Sequence, residues 1–207
     1  MIVFDATMLL LLMRPNVSAP IDHDTGLPVE HAEARINALI QRLEKEKTKI
    51  IVSTPALSEL LVRAGSSIPD LIKTIEKSAV FSIEPFDTLA AIEVAMMTRQ
   101  AIDNGDKRGG VDCTWAKVKY DRQIIAIAKV HRATTIYSDD ADIYIHANIA
   151  KIKVLRLEDL PLPKEKAETV ELFPVKQELS AEITDAQTQE NLDYEEGKRE
   201  GESISEE

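Results

Sequence analysis

The sequence predicts an α/β fold: a central, mostly parallel sheet with helices on both faces. Two observations carry this expectation. Short β-branched runs alternate along the chain with longer stretches of helical period, the pattern of βαβ units joined by right-handed crossovers. The chain of 207 residues is also 44% hydrophobic but only 4% aromatic, so its core must be aliphatic, built from Leu, Ile, Val and Ala.

Taken in order, "MIVF" at the start reads as a first strand. Residues 28–47 put Ala32, Ile36, Leu39, Ile40 and Leu43 on one helical face. "KIIVS" (49–53) is a second strand running into "TPALSELLVRAG", with Thr54 as N-cap, Pro55 at the first helical position and Gly65 as the stop. "PDLIKTIEKS" (69–78) is a short helix and "AVFSI" (79–83) a third strand. Residues 87–104 form a long helix that ends in "GDKRGG", expected to be a mobile loop leading to residue 119. "YDRQIIAIAKVHR" (120–132) is helical, "TTIYS" a strand, "DADIYIHANIA" a helix and "KIKVLRL" (151–157) a last strand. No internal repeat is evident.

Composition divides the chain at about residue 160. From residue 164 to the end there are 14 acidic and 5 basic residues, which accounts for −9 of the net charge of −11. The body, residues 1–160, is therefore nearly neutral, and the acidity that would argue against a nucleic-acid partner belongs to residues 161–207. That tail is expected to be disordered, being rich in Glu, Ser and Gly toward its end. Within it, residues 169–179 ("TVELFPVKQEL") have the apolar content to strap onto the body or a partner. The tail's charge would suit a basic partner, or the body's own basic face.

Cys113 is the single cysteine. It excludes an internal disulfide framework and a cysteine-rich zinc site, and with no His or Asp/Asn partner in view it offers no thiol mechanism. The apolar opening "MIVFDATMLLLLM" lacks a basic leader, is interrupted by Asp5, and is too short to span a bilayer. A soluble, cytoplasmic protein with no membrane partner is expected.

The most informative stretch is "TTIYSDDADIYI", where Asp139, Asp140 and Asp142 crowd behind a predicted strand. Like charges this close need solvent or a cation to offset them. Three further acids fall where the carboxyl edge of a parallel sheet would gather them, the usual place for a ligand. Asp5 ends the first strand, Glu59 lies a helical turn after the second, and Asp121 opens a helix on the face it shares with Ile125 and Ala128. Each acid has an ordinary reading as a solvated or capping residue. Converging carboxylates without nearby Cys or His are the ligands of a hard cation, Mg²⁺ or Mn²⁺, and the chemistry they imply is attack of water on a phosphodiester. His23 with Asp22 and Asp24 is a weaker alternative metal set. His31, His131 and His146 are scattered.

In "IVFDATML", "STPALSELL", "YDRQIIAIAKVH" and "IYSDDADI" the chain resembles the PIN-domain nucleases, the family that includes VapC-type toxins. The resemblance spans residues 1 to about 157. It implies a three-layer α/β/α fold and a Mg²⁺- or Mn²⁺-dependent endoribonuclease, commonly a homodimer, with an antitoxin or other protein as partner. It makes Asp5, Glu59, Asp121 and Asp140 the catalytic acids, and Asp5, Asp121, Asp140 and Asp142 the metal ligands. Ser138 becomes the motif's hydroxyl residue, on the substrate side, and Asp139 is left to cap the helix. Around these acids Lys117, Lys119 and Arg122 are expected to hold RNA phosphates and Trp115 to stack on a base.

Two other functions compete. A PIN-like scaffold that binds without cleaving would carry the same motifs. A haloacid-dehalogenase-like phosphatase also uses an acid after its first strand, but it needs a second acid two residues later, where this chain has Thr7.

Overall fold

The computed structural model describes residues 1–13, 17–65 and 68–162. Five strands, β1 (Ile2–Phe4), β2 (Ile50–Ser53), β3 (Phe81–Glu84), β4 (Thr135–Tyr137) and β5 (Lys153–Leu155), form one sheet in the order β3-β2-β1-β4-β5. Every pairing is parallel, so the α/β expectation holds. The chain builds outward from β1 through β2 to β3, then crosses back to lay β4 on the other side of β1. The β1/β4 seam is therefore the switch point of the sheet, where a crevice opens beyond the carboxyl ends.

Seven helices are described: α1 (Ala6–Met13), α2 (Ala32–Lys45), α3 (Thr54–Ala64), α4 (Ile68–Lys77), α5 (Thr88–Asp103), α6 (Trp115–Val130) and α7 (Ala141–Ile149). Helix α1 packs on α2 and α3, while α6 packs on α5 and α7. Right-handed crossovers to opposite sides of β1 put these two groups on opposite faces of the sheet. The core between them is aliphatic, as composition requires. Among its largest fully buried side chains are Met8, Leu9, Ile36, Ile40, Ile51, Ile125, Ile127, Ile136 and Leu157. An aromatic contact within it sets Phe4 edge-on to Tyr137, with ring centroids 5.5 Å apart.

Several elements depart from the sequence reading. Helix α1 was not foreseen: it buries Ala6 and every residue from Met8 to Met13, so its sequence has no polar face to reveal the helical period. The cap of α3 is Ser53 rather than Thr54, whose hydroxyl instead accepts the Phe86 N–H at 3.0 Å. Helix α6 begins well before residue 120. Thr114 caps it, accepting the Lys117 N–H at 3.2 Å, so Trp115, Lys117 and Lys119 are helical, not loop, residues.

The "GDKRGG" segment is also tied down rather than free. The Asp106 carboxylate accepts from Arg108 N–H at 2.8 Å and Gly110 N–H at 2.7 Å. Gly109, at φ +71°, lies against His146, where a Cβ would meet the imidazole at 3.2 Å. The Asp22–His23–Asp24 set is likewise occupied. Asp22 accepts from the backbone of Asp24 and Thr25, and the His23 N–H reaches Glu158 at 2.7 Å. Among the described residues no helix is long and apolar enough to cross a membrane. The acidic tail from residue 163 and its 169–179 segment lie outside the described residues.

Candidate metal centre

Parallel register brings the first two polar groups together. Phe4 pairs with Tyr137, so the next residues, Asp5 and Ser138, leave the sheet side by side, and the Asp5 N–H extends the ladder to the Tyr137 carbonyl at 3.1 Å. Both are buried, Asp5 at 3% and Ser138 at 0% exposure. The Asp5 carboxylate accepts the Met8 N–H at 2.8 Å, in the first turn of α1, and a short hydrogen bond from the Ser138 hydroxyl. The same hydroxyl accepts the Asp140 N–H at 3.1 Å. Ser138 is thus enclosed and cannot meet a substrate; it positions Asp5 and the start of α7.

Adjacent aspartates diverge here. Asp140, not Asp139, is the N-cap of α7: its Oδ1 accepts from Asp142 N–H at 2.8 Å and Ile143 N–H at 3.3 Å. Asp139 turns away to accept the Leu157 N–H at 3.0 Å. Capping by Asp140 leaves its other oxygen facing α6, where Asp121 sits buried at 4% exposure. Carboxylate oxygens of Asp121, Asp140 and Asp142 all lie within 4.8 Å of one another.

A cation of the protein's own stands among them. The Lys117 ammonium, one helical turn before Asp121, reaches Asp121 Oδ2 at 3.1 Å, Asp140 Oδ2 at 2.8 Å and Asp142 Oδ2 at 2.7 Å. The electrostatics match this crowding. Burial pushes Asp5 up to about 7, against the opposing hydrogen bonds from Met8 and Ser138, with Asp139 and Asp140 adding to the rise. Burial likewise pushes Asp121 up to about 6, although Lys117 pulls it down. Glu59 is raised by partial burial, and Asp142 is lowered chiefly by its hydrogen bond to Lys117. Burial opposes the charge on Lys117, but its three carboxylate partners outweigh it and hold the ammonium well above its ordinary value.

These groups border a cleft of about 390 Å³ lined by Asp5, Thr7, Glu59, Lys117, Tyr120, Asp121 and Asp140, among others. The sequence-predicted acids Asp5, Glu59, Asp121 and Asp140 therefore share one cleft. Asp142 joins the oxygen cluster from α7, whereas Asp5 and Glu59 stand outside that cluster. The donor set is all carboxylate, with no Cys or His, which suits a hard cation. An ammonium already held by three of the acids shows that the cluster can seat positive charge.

The expected substrate contacts fare differently. Arg122 is buried at 3% exposure, donating to the Thr98 hydroxyl at 3.1 Å and the Lys107 carbonyl at 2.7 Å. It is a packing residue that fastens the 104–113 loop, not a phosphate contact. Trp115 is half-buried with Lys107 Nζ at 5.0 Å and the Arg122 guanidinium at 5.6 Å from its ring. Lys117 faces the acids, and Lys119 is exposed on α6. Sequence reasoning overlooked Tyr120, whose hydroxyl donates to the Pro55 carbonyl at 2.8 Å and also bonds Ser58. Its place depends on α3 meeting α6, a long-range contact with no local signal.

No family model and no curated protein matches the chain. Among solved structures, a chain of the VapBC2 complex of Rickettsia felis bound to a DNA fragment from its promoter is similar, with 12% identity and a TM-score of 0.49. The match covers 75% of this chain and 98% of that one. A chain of the DNA-bound VapBC of Salmonella typhimurium gives 14% identity and a TM-score of 0.46, over 75% and 97%. Likenesses of this size assign neither family nor activity, and the functional reading rests on the site itself.

Proposed function

We propose that the protein is a Mg²⁺- or Mn²⁺-dependent endoribonuclease whose acids lie at the β1/β4 switch point. The single observation that carries this reading is the trio Asp121, Asp140 and Asp142, converging on one cation position at the edge of an acid-lined cleft. A cleft walled by Asp5, Glu59, Asp121 and Asp140 repels a phosphodiester unless a divalent ion is present to bridge the two. Asp121, Asp140 and Asp142 would hold that ion, with Asp5 close behind. When bound, the ion supplies a lowered pKa for water and neutralises charge developing on the phosphate.

The chain's own residues have separable tasks. Ser138 and the Met8 N–H fix the Asp5 carboxylate at the floor of the cleft. Asp5, held there by those two hydrogen bonds, would take a proton from an attacking water. Glu59, at the α3 side of the cleft, would assist at its outer edge. Lys119, exposed on α6, would meet a neighbouring phosphate, and Trp115 would stack on a base only if Lys107 moves off its ring. The motif resemblance adds a homodimer and an antitoxin-like protein partner in the cytoplasm to this proposal.

One observation favours the non-cleaving alternative. Lys117 already bonds all three acids of the cluster, as expected of a scaffold that needs no metal. Incubation with mixed single-stranded and structured RNAs decides between them. The nuclease reading expects internal cuts in Mg²⁺ or Mn²⁺ that vanish with EDTA. Intact RNA in both metals, with the acidic tail present and with it removed, would leave the scaffold.

A further inference from the structure

Resting on the metal-site reading above, we propose that Lys117 is an exchangeable internal cation: its ammonium shares a seat with the divalent ion, so that one must leave before the other binds. Geometry supports it. Nζ lies 2.7–3.1 Å from oxygens of Asp121, Asp140 and Asp142. One carboxylate oxygen from each of these three acids lies within 4.8 Å of the other two, and they form the only three-acid cluster of that kind among the described residues. An ion held by all three would have to occupy the volume that the ammonium fills.

The lysine is built to leave. Its side chain is 37% exposed and sits on four flexible methylenes, so it has a route from the acids to the rim of the cleft without backbone movement. Its position also uses the less favourable helical order, with the base N-terminal to the acid at i,i+4. The hold on Nζ therefore comes as much from α7, through Asp140 and Asp142, as from its own helix. Through these contacts Lys117 ties three crowded carboxylates of α6 and α7 together. Once displaced, its ammonium would be available to an incoming phosphate, so the group that holds the acids would become a contact for the anion that follows. Competition of this kind lowers metal affinity in the resting protein and sharpens discrimination against weakly bound monovalent ions, which cannot displace a tethered ammonium.

The test is calorimetric titration of Mn²⁺ into full-length wild type, Lys117→Met, Lys117→Gln and Lys119→Met. The last removes the same charge from an exposed position of the same helix. Tighter Mn²⁺ binding by roughly tenfold or more is expected for both Lys117 variants, because a tethered competitor at high effective concentration is removed, with little change for Lys119→Met. Gln retains a hydrogen-bond donor and keeps the test open if Met fails to fold. In wild type, labelling of Lys117 by an amine-reactive reagent, read by mass spectrometry, should rise when Mn²⁺ is added. Equal affinities for wild type and the Lys117 variants, or an equal gain from Lys119→Met, would overturn seat-sharing while leaving the metal site intact. Absence of Mn²⁺ binding in every protein, the Lys117 variants included, would overturn the metal-site reading together with the exchange.

Discussion

Asp5→Asn is expected to give a protein that is more stable than wild type above neutral pH and yet cleaves RNA about a thousandfold more slowly. The sign follows from burial. In the folded chain Asp5 is pushed from 3.8 up to about 7, so between those values the folded state holds a proton that the unfolded state has released. Its contribution to stability is fully present below about 4 and is lost as pH rises through 7. By pH 8 the folded protein carries the full cost of an ionised carboxylate in an enclosed site. At about 1.4 kcal/mol per tenfold change in ionisation constant, and allowing for local relaxation, that cost is roughly 2–4 kcal/mol.

Asparagine escapes it. Its carbonyl oxygen can still accept the Met8 N–H, and its amide can donate to the Ser138 hydroxyl oxygen after that hydroxyl rotates. Urea denaturation in EDTA at pH 5 and pH 8 checks this: the variant's advantage should be small at the lower pH and grow at the higher. Parallel stability profiles would show that Asp5 is ionised at little cost. Loss of the proton acceptor should lower cleavage by about a thousandfold, the ordinary scale of acid–base catalysis.

Arg122→Met is expected to destabilise the fold by about 2–4 kcal/mol. The guanidinium is 3% exposed and is satisfied by the Thr98 hydroxyl, the Lys107 carbonyl and the face of Trp115. Methionine fills part of the volume but leaves the Lys107 carbonyl without its donor, a substantial loss for a buried charged hydrogen bond. The 104–113 loop, which Arg122 joins to α5 and α6, should become the first region to exchange its amide hydrogens. Hydrogen exchange and denaturation measure both effects. Unchanged stability with weakened RNA binding would instead return Arg122 to the role of a phosphate contact.

The site was legible in the sequence wherever a residue's position follows from the end of a strand. Asp5 and Ser138 directly follow β1 and β4, and parallel pairing of Phe4 with Tyr137 then dictates that they meet. Asp121 was legible because it shares a helical face with Ile125 and Ala128, both fully buried in α6. What stayed hidden depends on distant partners. Asp139 and Asp140 are chemically identical neighbours, and only the Leu157 N–H, beyond β5, draws the first away and leaves the second to cap α7. Lys117 and Arg122 looked alike as surface cations because their partners are distant in sequence. Asp140 and Asp142 reach Lys117 from α7, and Thr98 with the Lys107 carbonyl takes up Arg122. Helix α1 was obscured for the opposite reason, having no polar side to mark its period.

On the proposed function, Asp140 and its neighbours hold a divalent cation used to cut RNA. The most direct measurement compares the rate of RNA cleavage by wild type and Asp140→Asn across a Mn²⁺ titration, with far-ultraviolet circular dichroism confirming that both are folded. Asparagine preserves the cap of α7, since its side-chain oxygen accepts from the Asp142 and Ile143 N–H groups as aspartate does. The prediction is metal-dependent cutting by wild type and a loss of about a hundredfold or more in the variant that added Mn²⁺ only partly restores. Equal rates in the two proteins at every Mn²⁺ concentration would contradict it.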